Sequence, residues 1–340
     1  MWWEEKEVKI GVVGLGLGVS YVDALSKSSF IEQIVICDTD KDRLALVSSK
    51  YPKVSNKYQD LHLMLEKEKL DAVCVVTPDH FHRIHAEICL NAGCHVLLTK
   101  PVATNLEDAK SIILTADKRQ RKLMVAQERR MNSNFLKIKQ YIDEGVLGGI
   151  IQIRYDCIQD KRQQIAESPW FASPEAGRSA LIGSGIHCVD VITHLVQKPV
   201  QQVSAFSNKL GTLVFSKDKT LAAIYQFEGG IIGEVSVTYE AHSRTLKPGE
   251  NIFHIVGTKG VATFDRIISD DWDDWKLLPK DEFPIEESIQ RLVFSFVDSI
   301  VHNKPVLISG REAFKALANC VAADEAAANG QITTPHPINF

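Results

Sequence analysis

The chain has 340 residues, 45% hydrophobic and 24% charged, with 39 basic and 43 acidic side chains and a net charge of -4. This composition excludes the disordered, collagenous and coiled-coil classes, and at roughly 150 residues per domain the length predicts two domains. Without a basic excess, neither nucleic acid nor an anionic membrane is an expected partner, and no run approaches the ~18 apolar residues of a membrane span. The opening Met1-Trp2-Trp3-Glu4-Glu5-Lys6 lacks the basic and apolar regions of a secretion signal. Seven cysteines, at 37, 74, 89, 94, 157, 188 and 320, are odd in number and scattered, against a disulfide framework. A cytoplasmic location is expected.

Up to residue 126, short apolar runs alternate with helical patterns. Residues 9–13, 33–37, 72–76, 95–98 and 123–126 read as strands, apolar throughout as in a parallel sheet covered on both faces. Asp60 is placed as the N-cap of a helix through residue 66, Gly93 as a helix C-cap, and Thr104-Asn105-Leu106-Glu107 as a capping box. Repeated strand–helix–strand units predict a doubly wound Rossmann domain over 1–126.

Beyond this point the pattern changes. A helix over 134–144 ends at Gly145, and strands follow at 150–155, 203–208, 221–227, 231–239 and 252–256. Gly229-Gly230 and Gly257-Thr258-Lys259-Gly260 read as hairpin turns, so residues 127–340 are expected to form an α/β domain with a large, mostly antiparallel sheet. Two helices close the chain, at 285–302 and 311–329, and the acidic run 270–275 reads as a solvated loop.

The first strand leads into Gly14-Leu15-Gly16-Leu17-Gly18-Val19, with a helix-compatible run behind it. Glycines in this context allow a tight turn and let backbone approach a pyrophosphate at a helix N-terminus. The usual G-x-G-x-x-G spacing puts its third small residue at 19, where Val19 stands; Gly18 is one position early. Asp38 ends the second strand, where a carboxylate accepts hydrogen bonds from adenosine ribose hydroxyls and repels a 2′-phosphate. No arginine follows at once in Asp38-Thr39-Asp40, so NAD is expected over NADP, although Asp38 or Asp40 can equally cap the next helix.

The run from Asp71 through Thr77-Pro78-Asp79-His80-Phe81-His82 resembles the "DAVxIATPNxxH" segment, and Gly93-Cys94-His95-Val96-Leu97-Leu98-Thr99-Lys100-Pro101 the "GKHVLCEKP" segment, of the glucose–fructose oxidoreductase / inositol dehydrogenase / MocA-like family. Gly185-Ile186-His187-Cys188-Val189-Asp190 resembles its "GxHxxD" helix start and Gly257-Thr258-Lys259-Gly260 its "GTKG" turn. The resemblance implies that the cofactor lies over the C-terminal sheet edge, in contact with the 14–19 loop, Asp38, Thr77, Pro78, His82, Lys100 and Gln127. It also implies a sugar, cyclitol or related polyol as substrate, and homodimers or homotetramers pairing through the second sheet.

Lys100 is then placed to polarise the reacting oxygen, and His187 to exchange its proton. On a helix over 185–196, Asp190 falls at i+3 from His187 and can orient it or point away. Arg129, Arg130 and Asn132, within a segment similar to the family's "RR(F/Y)", together with Trp170, Arg178 and Asp190, are candidate substrate contacts; core packing and solvation are their alternatives. Two departures stand out: Thr99 replaces the family's Glu before the lysine, and Gly183 its Asp four residues before the histidine. The primary expectation is an NAD-dependent dehydrogenase; a disabled NAD- and sugar-sensing regulator and a redox-neutral NAD-dependent glycosidase are the alternatives. His80, His82 and His85 share no helical face, so no metal site is expected.

Overall fold

The computed structural model describes residues 7–242, 252–278 and 285–340. The chain divides into two compact units: one takes residues 1–128, 283–314 and 340, the other 129–282 and 315–339.

In the first unit, β1 (Val8–Val13), β2 (Ile31–Cys37), β3 (Val54–Tyr58), β4 (Ala72–Val75), β5 (His95–Thr99) and β6 (Leu123–Ala126) form a parallel sheet. Its order is β3-β2-β1-β4-β5-β6, so the winding reverses between β1 and β4, where such sheets open a ligand crevice. Helices α1 (Gly18–Ser26), α2 (Lys41–Lys50), α3 (Leu61–Lys67), α4 (His82–Asn91) and α5 (Leu106–Lys118) connect the strands. All five expected strands form. The sixth, β3, escaped the sequence because its central Ser55, Asn56 and Lys57 are exposed on an edge strand.

Asp60 caps α3 as expected, accepting the Leu63 amide at 2.8 Å. The box before α5 sits one residue later than expected. Asn105 accepts from the Asp108 amide at 2.9 Å, and its side-chain amide returns a bond to Asp108 Oδ2 at 2.8 Å. Asn is as good an N-cap as Thr, and Asp108 supplies the reciprocal acceptor.

The second unit contains α6 (Ser133–Asp143), β7 (Ile150–Tyr155), β8 (Cys157–Ile158), α7 (Arg162–Glu167), α8 (Ile186–Val196), β9 (Val200–Asn208), β10 (Thr220–Phe227), β11 (Ile232–Thr238), β12 (Phe253–Gly257), β13 (Gly260–Thr263), β14 (Arg266–Ser269) and β15 (Lys276–Leu277). The sheet runs β15-β14-β13-β12-β7-β11-β10-β9, with β8 beside β11. It is mostly antiparallel; β11 runs parallel to β7 and β8. Gly229 and Gly230, with φ of 85° and 84°, join β10 to β11 in a turn that needs positive φ at both positions. Along β10, Leu221, Ala223, Tyr225 and Phe227 are buried while Ala222, Ile224 and Gln226 are exposed, the period of two that a one-sided sheet imposes. The 270–275 loop is tied down by its tryptophans: Lys276 Nζ lies 3.5 Å from the Trp272 ring centre, and Arg266 Cζ 4.8 Å from that of Trp275.

The chain then returns to the first unit. Helix α9 (Ile285–Val301) buries Ile289, Leu292, Val293, Phe296 and Val297 and packs on α1. Beyond it, the Val125 amide of β6 donates to Ile308 O at 3.0 Å, which covers the sheet's edge. The 127–340 boundary expected from chain order therefore misassigns this stretch, because an amphipathic helix reads the same whichever surface it covers. Helix α10 (Gly310–Asn329) starts in the first unit and continues in the second. All seven cysteines are buried and none is in a disulfide. Among the described residues no helix is long and apolar enough to cross a membrane.

Candidate functional site

In the first unit the candidate residues leave the sheet at the C-terminal ends of its strands. Gly14 follows β1 with φ +87°, and an added Cβ would lie 2.6 Å from the Val76 carbonyl oxygen, so both conformation and space demand glycine. Gly18 opens α1, buried, where a Cβ would meet Val12 Cγ1 at 3.3 Å. The early third glycine thus still serves close helix–strand packing, and Val19 is half-buried beside it. Gly16 and Leu17 form the exposed tip.

Asp38 fixes this loop. Its Oδ2 accepts the Leu15 amide at 2.6 Å and its Oδ1 the Asp40 amide at 2.9 Å. A carboxylate offers about four acceptor sites, so lone pairs remain for ribose hydroxyls. Capping of α2 falls to Asp40, which accepts from Asp42 and Arg43 amides at 2.9 and 3.1 Å. Arg43, not singled out in the sequence, lies with its guanidinium 3.9 Å from where a Cβ at Gly16 would stand. It sits five positions beyond Asp38, in the first turn of α2, past the Asp38-Thr39-Asp40 stretch.

Thr77 and Pro78 follow β4, and Lys100 and Pro101 follow β5. His82 joins the two loops: Nδ1 is 2.7 Å from the Pro101 carbonyl oxygen and Nε2 3.0 Å from that of Thr77, with the ring fully buried. Its position is that of a clamp within the fold. His85 contacts Thr77 Oγ1 at 3.0 Å; burial, followed by His82, His62 and His80, holds its imidazole below the usual range. Among the described residues no three His, Cys, Asp or Glu side chains converge to hold a metal.

Thr99 is 7% exposed and hydrogen-bonded to Tyr21 of α1, whose phenol burial pushes upward, so that it stays protonated. The first departure is thereby absorbed by a neutral pair. Lys100 is half-buried at the strand end. Gln127, directly after β6, is 1% exposed, and among the described residues neither Oε1 nor Nε2 of its amide has a hydrogen-bond partner. Such an amide is costly unless something supplies a donor and an acceptor. Together with the glycine cradle and the Asp38 carboxylate it suits a nicotinamide dinucleotide, whose carboxamide carries both.

In the second unit, the expected substrate contacts separate. Arg130 and Asp190 are 7% and 1% exposed and bind each other through Nε–Oδ2 at 2.8 Å and Nη2–Oδ1 at 2.7 Å. Asn132 caps α6, accepting the Asn134 and Phe135 amides at 3.0 and 3.3 Å. Each of the three meets a structural need: a buried guanidinium needs a buried carboxylate, and helix starts need acceptors. Asp190 thus holds Arg130 through both carboxylate oxygens. Arg129, Trp170 and His187 are half-buried.

Arg178 is 2% exposed and stacked on aromatics, Cζ lying 4.3 Å from the Phe171 ring centre and 5.4 Å from that of Trp170. A Cβ at Gly183 would collide with Arg178 Nη1 and lie 2.6 Å from the Tyr239 hydroxyl. The second departure is therefore a packing solution in which guanidinium and phenol fill the side-chain space. Tyr239, which carried no sequence signal, is its other half. His187 follows a wide π-helical turn at Leu181–Gly185, a geometry frequent at functional sites.

The reversed parallel sheet and glycine loop define a dinucleotide-binding domain. Residues 8–127 match the family model described as oxidoreductase family, NAD-binding Rossmann fold, and residues 135–263 the GFO/IDH/MocA C-terminal domain. The chain belongs to the Gfo/Idh/MocA family of oxidoreductases. It is 26% identical to D-glucoside 3-dehydrogenase of Escherichia coli over 339 residues, covering 93% of this chain and 94% of that protein. To 1-carboxy-3-chloro-3,4-dihydroxycyclo hexa-1,5-diene dehydrogenase of Comamonas testosteroni it is 27% identical over 238 residues, 69% of this chain and 59% of that protein. The crystal structure of scyllo-inositol dehydrogenase from Lactobacillus casei with NAD(H) and scyllo-inositol shares the fold, with a TM-score of 0.80, 22% identity and coverage of 97% and 99%.

Proposed function

We propose that this chain is an NAD-dependent dehydrogenase that oxidises a secondary hydroxyl of a sugar, cyclitol or related polyol. The observation that carries this reading is the Asp38–Leu15 bond at 2.6 Å, which ties the glycine loop to the end of β2 with a carboxylate where the adenosine ribose would lie. Gly14, Gly16, Leu17, Gly18 and Val19 would cradle the pyrophosphate, Thr77, Pro78 and Lys100 would border the nicotinamide, and Gln127 would meet its carboxamide. Bound NAD supplies the hydride acceptor. Lys100 donates a hydrogen bond to the substrate hydroxyl and stabilises the negative charge that grows on oxygen as its proton leaves. His187 takes that proton as the general base. Arg129 and Trp170 remain the substrate-facing candidates, and Arg178 acts through packing at Gly183.

Arg43 beside Gly16 favours a second cofactor reading, NADP, because a guanidinium at the ribose end can pair with a 2′-phosphate. The Asp38 carboxylate opposes it, and NAD is the preferred ligand in this reading. The filled space at Gly183 supports a second functional reading, an NAD- and sugar-sensing regulator without turnover. The buried, unbridged cysteines support a reducing, cytoplasmic setting. Phe206, 79% exposed, and Ile224, 53% exposed, lie on the open face of the second sheet and support a homo-oligomer that covers it. Titration with NAD+ and NADP+, then NAD+ with a panel of polyols, tests the reading. Binding with reduction of NAD+ by one polyol class supports it; binding with no reduction across the panel shifts weight to the regulator.

A further inference from the structure

The turn that carries the chain into His187 is held from three sides of the second unit. The Tyr239 hydroxyl lies 3.3 Å from the Ala180 carbonyl oxygen and 3.0 Å from Ser184 Oγ. The Ala180 amide donates to the Asp218 carbonyl oxygen at 2.9 Å. Ser179 Oγ donates to Asp324 Oδ2 of α10 at 2.8 Å and accepts the Ile182 amide at 3.3 Å, while the Gly183 amide donates to Ser179 O at 3.0 Å. Of these fasteners Asp324 is the one whose charge can change at moderate pH.

Asp324 is faced by Asp218 and Lys217 from the loop before β10, by Glu325 on its own helix, by the Tyr225 phenol of β10 and by Cys320 one turn back. The Asp218 carboxylate is itself engaged, accepting Ser207 Oγ at 2.8 Å. Burial pushes the Asp324 carboxyl up to about 7; the Ser179 bond and Lys217 pull it down, and Asp218 and Glu325 push it up. A bond from a hydroxyl to an ionised acceptor is about twice as strong as one between neutral groups, so the grip on Ser179 differs between the two protonation states.

We propose that Asp324 is a positioning residue for His187, gripping the Ser179 hydroxyl when ionised and so fixing the turn that presents the imidazole. Protonated, it leaves residues 179–185 to the neutral bonds from Tyr239 and Asp218. The link to turnover rests on the reading of His187 as the base; the coupling between Asp324 and the turn does not.

Backbone amide NMR across pH on the intact protein tests the proposal. The Ile182 and Gly183 amide resonances should shift with a midpoint near 7, the value expected for the Asp324 carboxyl. The midpoint should persist in His187→Gln, which removes the nearby imidazole, and vanish in Asp324→Asn. With a polyol that is turned over, Ser179→Ala should lower kcat about fivefold, the worth of one net hydrogen bond, and leave the Kd for NAD+ unchanged. Amides that do not titrate, or that titrate alike in Asp324→Asn and the parent, would overturn the proposal. Amides that titrate as expected in a protein that reduces no NAD+ with any polyol would uphold it and count against the dehydrogenase reading instead.

Discussion

Arg130 grips Asp190 through two bonds, at 2.8 and 2.7 Å, inside the second unit. Both were expected near substrate, yet each satisfies the other. Removing one partner of a buried pair strands the remaining charge, so Arg130→Met or Asp190→Asn should cost about 3–5 kcal/mol, whereas replacing both with apolar residues of similar volume should cost far less. Chemical denaturation of the single and double variants measures this; single variants as stable as the parent would show that the pair contributes nothing to the fold.

Gly14 and Gly18 should respond unequally to alanine. Gly14→Ala meets both a φ of +87° and a carbonyl oxygen 2.6 Å away, while Gly18→Ala meets only a methyl at 3.3 Å. The first should abolish measurable NAD+ binding and lower Tm. The second should weaken binding modestly. Calorimetric titration of both proteins settles the order.

Much of this was legible in the chain. The strands β1, β2, β4, β5 and β6 are apolar on both faces, and the glycine loop has a strand before it and a helix after it, so short-range pattern and fold agree. What was illegible depends on long-range packing. Nothing local says that α9 turns its apolar face to α1, that Arg178 and Tyr239 together fill the space at Gly183, or that Arg43 reaches back beside Gly16. His82 shows the limit of motif reading: its place in the segment was found, but its ring proves to clamp Thr77 to Pro101.

In the proposed reading, cofactor choice turns on the opposed charges of Asp38 and Arg43 beside the glycine loop. Asp38→Ala removes the group that repels a 2′-phosphate and leaves Arg43, so the ratio of NADP+ to NAD+ affinity should rise at least about tenfold, ~1.4 kcal/mol. Arg43→Ala should lower it. Affinity for both dinucleotides should also fall in Asp38→Ala, because the Leu15 amide loses its acceptor. An unchanged ratio would remove Asp38 from the discrimination.

Asp324 also predicts a pH dependence of stability. Its carboxyl is raised from 3.8 to about 7 in the folded chain, so folding favours the protonated form. That contribution is complete below the unfolded value and is lost as pH rises through the folded one. Asp324→Asn should therefore melt above the parent at alkaline pH and close to it in mild acid. A Tm difference that stays constant across pH would contradict the raised carboxyl.

The central claim is that this family member performs hydride transfer with Lys100 and His187 as its working groups. The most direct measurement mixes the protein with NAD+ and sugars, inositols and their acids, following reduced-nicotinamide absorbance in the parent, Lys100→Ala and His187→Ala. The account predicts a signal with one polyol class and a fall in kcat/KM of ~100-fold or more in each variant, the scale of lost acid–base catalysis. Parent and variants with equal kcat/KM, all binding NAD+, would contradict it.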